Sequence, residues 1–215
     1  SPSEFRGRVR LVAASAILMS ISSGIWYASS VLFVALIQEF HWDYGSTAGI
    51  FSTFIVMYGV WGVLAGLLLD RFGPRRVILA GGVLLPVALA SSGLATALPT
   101  LYLTYGVITP LGLSLMSYVP VSVLLTRNFY ARRGLALGFA SAGVGVGILI
   151  VVPLTQFLID RAGWRMAYFG LAAIAASVVL PIALLAIREE KARIAGSARP
   201  LPPAASSLAS LCDRP

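Results

Sequence analysis

At 215 residues, 58% hydrophobic and 11% charged, with a mean hydropathy of +0.89, the chain is too apolar for a water-soluble domain, which excludes a soluble enzyme. Its net charge of +8 would suit a nucleic-acid partner in a soluble protein but marks cytoplasmic loops in a membrane protein, so the placement of the charges decides. One cysteine, Cys212, and one histidine, His41, provide no His/Cys metal cluster, no intrachain disulfide and no Cys/His catalytic pair.

Uncharged runs extend over Leu11 to Gln38, Tyr44 to Leu69, Val77 to Thr126, Gly134 to Ile159 and Met166 to Ile187. A bilayer core needs about 20 helical residues. The third run has 50 residues and a turn signal at Thr96-Ala97-Leu98-Pro99-Thr100, so it divides in two. Six spans are therefore expected at 11–38, 46–69, 77–97, 100–125, 134–159 and 166–187. A barrel is excluded, because strands of about ten alternating residues would not leave such runs. The first run follows Arg6, Arg8 and Arg10 but exceeds the apolar core of a signal peptide and lacks a cleavage site. The expected organisation is an N-terminal segment at 1–10, a membrane bundle at 11–187, and a tail at 188–215 that is charged, then Pro/Ala/Ser-rich and disordered.

Basic residues orient the bundle. Fourteen of the 16 lie in the N-terminal segment, the 2–3 loop, the 4–5 loop and the segment after span 6; only Arg161 and Arg165 lie on the other side. Both termini are then expected in the cytoplasm, in a bacterial inner membrane, and no nucleic-acid partner is needed.

Span 2 ends in Leu68-Leu69-Asp70-Arg71-Phe72-Gly73-Pro74-Arg75, and span 5 in Leu158-Ile159-Asp160-Arg161-Ala162-Gly163-Trp164-Arg165. Five of these eight positions are identical at an offset of 90 residues. The two spans run in opposite directions, so the copies fall on opposite membrane faces, the signature of a three-plus-three inverted repeat. In each copy a carboxylate at a helix end, an arginine and a helix-ending glycine make a turn flanked by ion-pairing partners. The simpler alternative is a solvated turn.

The segment Gly66-Leu67-Leu68-Leu69-Asp70-Arg71-Phe72-Gly73-Pro74-Arg75-Arg76 resembles the 2–3 loop signature of the major facilitator superfamily. Its monocarboxylate and oxalate/formate branch is resembled further by Glu39-Phe40-His41-Trp42, Tyr118-Val119-Pro120, Arg132-Arg133-Gly134-Leu135-Ala136-Leu137-Gly138 and Gly163-Trp164-Arg165. The resemblance covers roughly residues 10–190 and implies the N-terminal half of a secondary transporter for a small organic anion. It implies alternating access, no cofactor, and as partner a missing C-terminal half. A self-sufficient homodimer, working as a pore or scaffold, is the alternative. Span 4 carries Tyr102 where proton-coupled drug antiporters have an arginine. Span 1 has Ser22-Ser23-Gly24-Ile25-Trp26 where animal monocarboxylate transporters have an acidic residue. No ionisable side chain of the Asp, Glu, Lys, Arg or His type lies inside a span, so a charge for the anion would come from the other half.

On span 1, Ser23, Trp26, Tyr27, Ser30 and Val34 share one helical face and form a candidate wall for a small organic anion; the alternative is ordinary packing. Tyr105, Thr109 and Tyr118 on span 4 are further candidates. Gly59, Gly62 and Gly66 on span 2, with Gly134, Gly138, Ala142 and Gly145 on span 5, form two small-residue stripes. In the family these two helices face the other half; the alternative is packing within this bundle. The gate candidates are Gly66, Asp70, Arg71, Gly73, Arg75 and Arg76, with Asp160, Arg161, Gly163 and Arg165 in the inverted copy.

Overall fold

The computed structural model describes residues 2–40, 43–128 and 133–197. The tail expected to be disordered lies, from residue 198 on, outside them. Among the described residues every regular element is helical: α1 (Pro2–Phe40), α2 (Tyr44–Phe72), α3 (Pro74–Gly93), α4 (Leu98–Leu101), a π-helical turn (Tyr102–Ile108), α5 (Thr109–Ser114), α6 (Tyr118–Asn128) and α7 (Arg133–Ser197). The pieces from α4 to α6 together make span 4. α7 holds spans 5 and 6, because Gly163 leaves the helical conformation (φ 82°, ψ 167°) inside it. The integral membrane architecture is therefore all-α with six spans.

Helix ends follow local chemistry. Asp43 precedes α2 and its carboxylate accepts from the Gly45 N–H at 2.9 Å, so the helix starts there, slightly before the expected residue 46. Pro74 opens α3, where its missing N–H has no helical partner to lose. Pro99 does the same for α4 after the extended Ala97. α1 begins at Pro2 rather than near 11, and the backbone of α7 continues to Ser197 rather than ending near 187. Arg, Glu and Lys are good helix formers, so a helix leaving the bilayer has no local reason to stop.

Gly73 and Gly163 are the positive-φ glycines among the described residues, and they stand 90 positions apart. Gly73 adopts φ 80°, ψ 160°, nearly the angles of Gly163, in a region open essentially to glycine alone. Each reverses the chain between two spans. The repeat also reaches into the packing. A Cβ on Gly143 would overlap the Ala16 carbonyl, and a Cβ on Gly106 would touch Thr53; the second pair is the first displaced by 90 residues. Spans 1 and 5 thus meet as spans 4 and 2 do.

Close approach holds the bundle where lipid gives helices no hydrophobic reason to associate. A Cβ on Gly147 would overlap the Ser20 carbonyl, and one on Gly112 would crowd the Leu85 backbone. An aromatic column runs alongside: Trp26 to Phe54 (4.9 Å), Phe54 to Tyr105 (5.2 Å), Tyr105 to Tyr168 (5.4 Å), Tyr168 to Trp164 (6.1 Å) and Trp164 to Phe40 (5.4 Å). It links the bundle centre to the end that carries Gly163.

These contacts predict opposite outcomes for neighbouring glycines. Gly147→Ala and Gly163→Ala should each destabilise the chain by about 1–3 kcal/mol, one by collision and the other by strain. Gly145→Ala, which meets nothing within 4 Å, should be neutral or slightly stabilising. Thermal unfolding in detergent reads the difference, and equal effects at Gly145 and Gly147 would contradict the packing described.

Candidate functional site

A cavity of about 140 Å³ opens near the midpoints of spans 1, 2, 4 and 5. α1 contributes Met19, Ser22, Ser23, Trp26 and Tyr27; α2 contributes Tyr58; α7 contributes Val144. Span 4 supplies Leu113, Ser117 and Tyr118 from the interruption between α5 and α6. The 90-residue offset carries Ser23 onto Leu113 and Tyr27 onto Ser117, so the cavity lies between the two repeats. Tyr27 and Tyr118, each about half exposed, stand at its mouth.

The hydroxyl groups divide into two kinds. Ser23 Oγ donates to the Met19 carbonyl at 2.6 Å and lies 3.3 Å from that of Val144, tying span 1 to span 5. Ser22 donates to Met19 O at 3.4 Å, and Ser117 to Ser114 O at 3.1 Å. The serine protons are thus engaged with helix carbonyls. The hydroxyls of Tyr27, Tyr58 and Tyr118 have no hydrogen bond to a described residue and are the donors left for a guest. The Tyr58 ring meets Trp26 edge-on at 4.4 Å, which fixes both.

Several expected residues lie elsewhere. Ser30 is exposed and donates to Tyr27 O at 2.9 Å, and Val34 is likewise exposed, because α1 turns this end of its polar face outside the cavity. Tyr105 is fully buried against Phe51, Phe54 and Tyr168, and no hydrogen bond reaches its hydroxyl. Thr109 is buried and donates to Thr104 O at 3.0 Å within its own span. Both belong to the packing of span 4. Tyr58, Ser22, Met19, Leu113, Ser117 and Val144 were not expected. Leu113 and Ser117 could have been reached by applying the 90-residue offset to Ser23 and Tyr27; Tyr58 had no such signal.

The two motif copies differ in how their charges are used. Asp70 is exposed and forms no ion pair with a described residue, while the Arg71 guanidinium lies 5.4 Å from the Phe72 ring. This corrects the expected carboxylate–arginine clamp within the turn: Arg71 turns onto its neighbour's ring instead. Arg76 is exposed and Arg75 half-buried, against Leu11, Ser15 and Ile78. In the inverted copy Asp160 accepts from Gln156 at 2.6 Å, and Arg161 lies over Phe157 at 5.2 Å. Arg165 stacks on Trp164 at 4.4 Å and donates to Ala95 O at 3.4 Å, fastening span 6 to the turn between spans 3 and 4.

The glycine stripes are open. A Cβ on Gly59, Gly62, Gly66, Gly134, Gly138 or Gly145 would meet nothing within 4 Å. On α7 the stripe floors a groove bordered by Leu135, Phe139 and Ala142. Packing inside this bundle is therefore not what these glycines do.

The all-helical bundle has six spans arranged as an inverted repeat around a small cavity. The sequence matches the Major Facilitator Superfamily over residues 14–215, and the chain belongs to that family. Monocarboxylate transporter 3 of Mus musculus is 38% identical over 155 residues, covering 72% of this chain and 31% of that protein. Monocarboxylate transporter 4 of Gallus gallus is 40% identical over 138 residues, covering 64% and 29%. Monocarboxylate transporter 2 of Homo sapiens is 30% identical over 178 residues, covering 80% and 37%. The chain thus spans about a third of the length of these relatives. They are vertebrate proteins and lend no support to the bacterial setting expected from the sequence.

The unequal motif copies predict unequal consequences. Arg165→Ala, which removes a hydrogen bond and a stacking contact, should lower the melting temperature by about 3–6 °C. Asp70→Asn should leave it within about 1 °C, since Asp70 has no described partner. A comparable loss from both would mean the first copy also holds the bundle together.

Proposed function

We propose that the chain is the N-terminal half of a secondary transporter that moves a small organic monocarboxylate by alternating access. The observation that carries this is the cavity: near mid-membrane, small, lined by apolar Met19, Leu113 and Val144 on one part and by three tyrosyl hydroxyls on another. Such a lining suits a short anion with an apolar end, held by neutral donors from this half. It offers nothing to the second charge of a dicarboxylate such as oxalate. The similarity to monocarboxylate transporters supports the same reading.

In this reading the open faces of spans 2 and 5 receive the second half, whose side chains supply the compensating cation. Asp70, Arg71 and Arg76 stand at the end of that face, free to engage the partner in one state of the cycle, with Gly73 fixing the turn and Arg75 half-buried after it. The basic residues around the motif support a cytoplasmic position for this end and for both termini.

Reconstitution into liposomes tests the proposal. The chain alone should give no saturable uptake of labelled lactate, formate or oxalate; assembly with a matching second half should produce saturable uptake with lactate preferred. In that assembly Tyr58→Phe and Tyr118→Phe should each raise KM about fivefold to tenfold, whereas Ser23→Ala should change it less than about twofold. Saturable uptake by six spans alone would favour the homodimer. A larger effect at Ser23 than at the tyrosines would contradict the assignment of donors.

A further inference from the structure

Ser15 departs from a pattern that the other buried hydroxyls of the spans follow. Ser22, Ser92, Thr104, Ser114 and Thr155 each give the hydroxyl proton to a carbonyl three or four residues back in the same span, and Thr109 does so five residues back. Ser15 is fully buried, yet no described group bonds its Oγ. A hydroxyl turned from its helix into apolar surroundings costs free energy unless a polar group meets it.

Beside Ser15 lies a pocket of about 10 Å³, at the end of the bundle that carries Gly73. Its wall includes Leu18 of α1, Arg75 and Ile78 of α3, Leu124 of α6 and Ile182 of α7. That is about the room one water occupies. Ser15 and Arg75 are the polar side chains in the wall. A guanidinium has five N–H donors, so Arg75 can serve more than one acceptor, and a serine hydroxyl both donates and accepts. Two polar partners are the fewest that retain a buried water.

The inverted repeat gives the pocket a counterpart at the opposite end. The 90-residue offset carries Arg75 onto Arg165, which donates to Ala95 O just after span 3; Arg75, which opens span 3, correspondingly lies with Ile182 towards the end of span 6. The same offset carries Ser15 onto Tyr105 and Ile78 onto Tyr168, two buried rings that meet edge to face at 5.4 Å. Rings occupy the place at that end, whereas the smaller Ser15 and Ile78 leave a pocket at this one. We propose that the pocket is a site for one water molecule, which accepts from an Arg75 N–H and donates to Ser15 Oγ, and so fastens span 3 to span 1. Ser15 is thereby a positioning residue for Arg75, holding it inward while Asp70, Arg71 and Arg76 remain exposed. The site is independent of the solute that the central cavity takes.

A crystal structure of the whole chain, at a resolution that shows ordered water, tests the site. One water oxygen should lie within about 3.2 Å of both Ser15 Oγ and an Arg75 nitrogen. In Ser15→Ala it should be lost, because a single polar partner does not retain a buried water. Thermal unfolding in detergent tests the bridge. Ser15→Ala should lower the melting temperature by about 2–4 °C, the size expected for one hydrogen bond in a chain of this length. In an Arg75→Met background, where the bridge is already broken, the same replacement should cause no further loss, since groups that share a bridge are not additive. A dry pocket predicts the reverse in the parent chain: removing an unpaired hydroxyl would leave the melting temperature unchanged or raise it. That result, equal losses in the two backgrounds, or a parent structure with no oxygen touching both side chains would refute the proposal, whatever the result of the flux assay.

Discussion

Close backbone approach at glycine is the constraint on which this bundle rests. Lipid offers helices no hydrophobic reason to associate, so contact has to come from packing at short range. Gly143 and Gly147 let span 5 press against the carbonyls of Ala16 and Ser20, and Gly106 lets span 4 press against Ile50 and Thr53. With spans 1 and 5 locked in this way, Ser23 can reach the Val144 carbonyl, and the cavity acquires a fixed wall. A Cβ on Gly59, Gly62 or Gly66 of span 2, or on Gly134, Gly138 or Gly145 of span 5, would meet no neighbour. One set of small residues therefore makes the six-span unit, and another set is left open.

The inverted repeat explains why the cavity is central. Gly73 and Gly163 take the same rare backbone angles at the two ends of the bundle, so the halves of the repeat are turned by equal devices. Positions related by the repeat meet at the middle, where Ser23 faces the region of Leu113 and Tyr27 that of Ser117. A wall made of equivalent stretches can nevertheless differ in chemistry: the first repeat contributes Trp26, Tyr27 and Tyr58, the second Leu113 and Val144 with the single ring of Tyr118. The two copies of the turn motif have diverged as well. Arg165 is committed to Ala95 and Trp164, which makes its copy a fastening, while Asp70 remains available.

Much of this was legible in the sequence because it depends on composition and offset. Charge-free runs mark the six spans, and the offset between Asp70 and Asp160 marks the repeat. Side-chain direction was less accessible. Trp26, Tyr27 and Tyr118 reach the cavity as expected from helical spacing, but Ser30 lies one turn too far along α1, and Tyr105 sits where the π turn rotates it into the aromatic column. A constant 100° per residue cannot anticipate that rotation. Tyr58 escaped because a lone tyrosine in an apolar run carries no periodic signal. The open orientation of the glycine stripes needed three dimensions, since Gly145 and Gly147 differ by two residues and have opposite surroundings.

The central claim is that the face bearing Gly62 and Gly138 is bare in this chain and covered in the assembled transporter. Nitroxide labels on cysteines replacing these glycines, in a chain with Cys212→Ser, report it through their mobility in the electron paramagnetic resonance spectrum. Both labels should be mobile in the isolated chain and strongly immobilised once a matching second half is bound. A label at Val87, on the exposed surface of α3, should be mobile in both. Immobile labels at Gly62 and Gly138 in a monomeric six-span chain, or labels that stay mobile in a transport-competent assembly, would contradict the account.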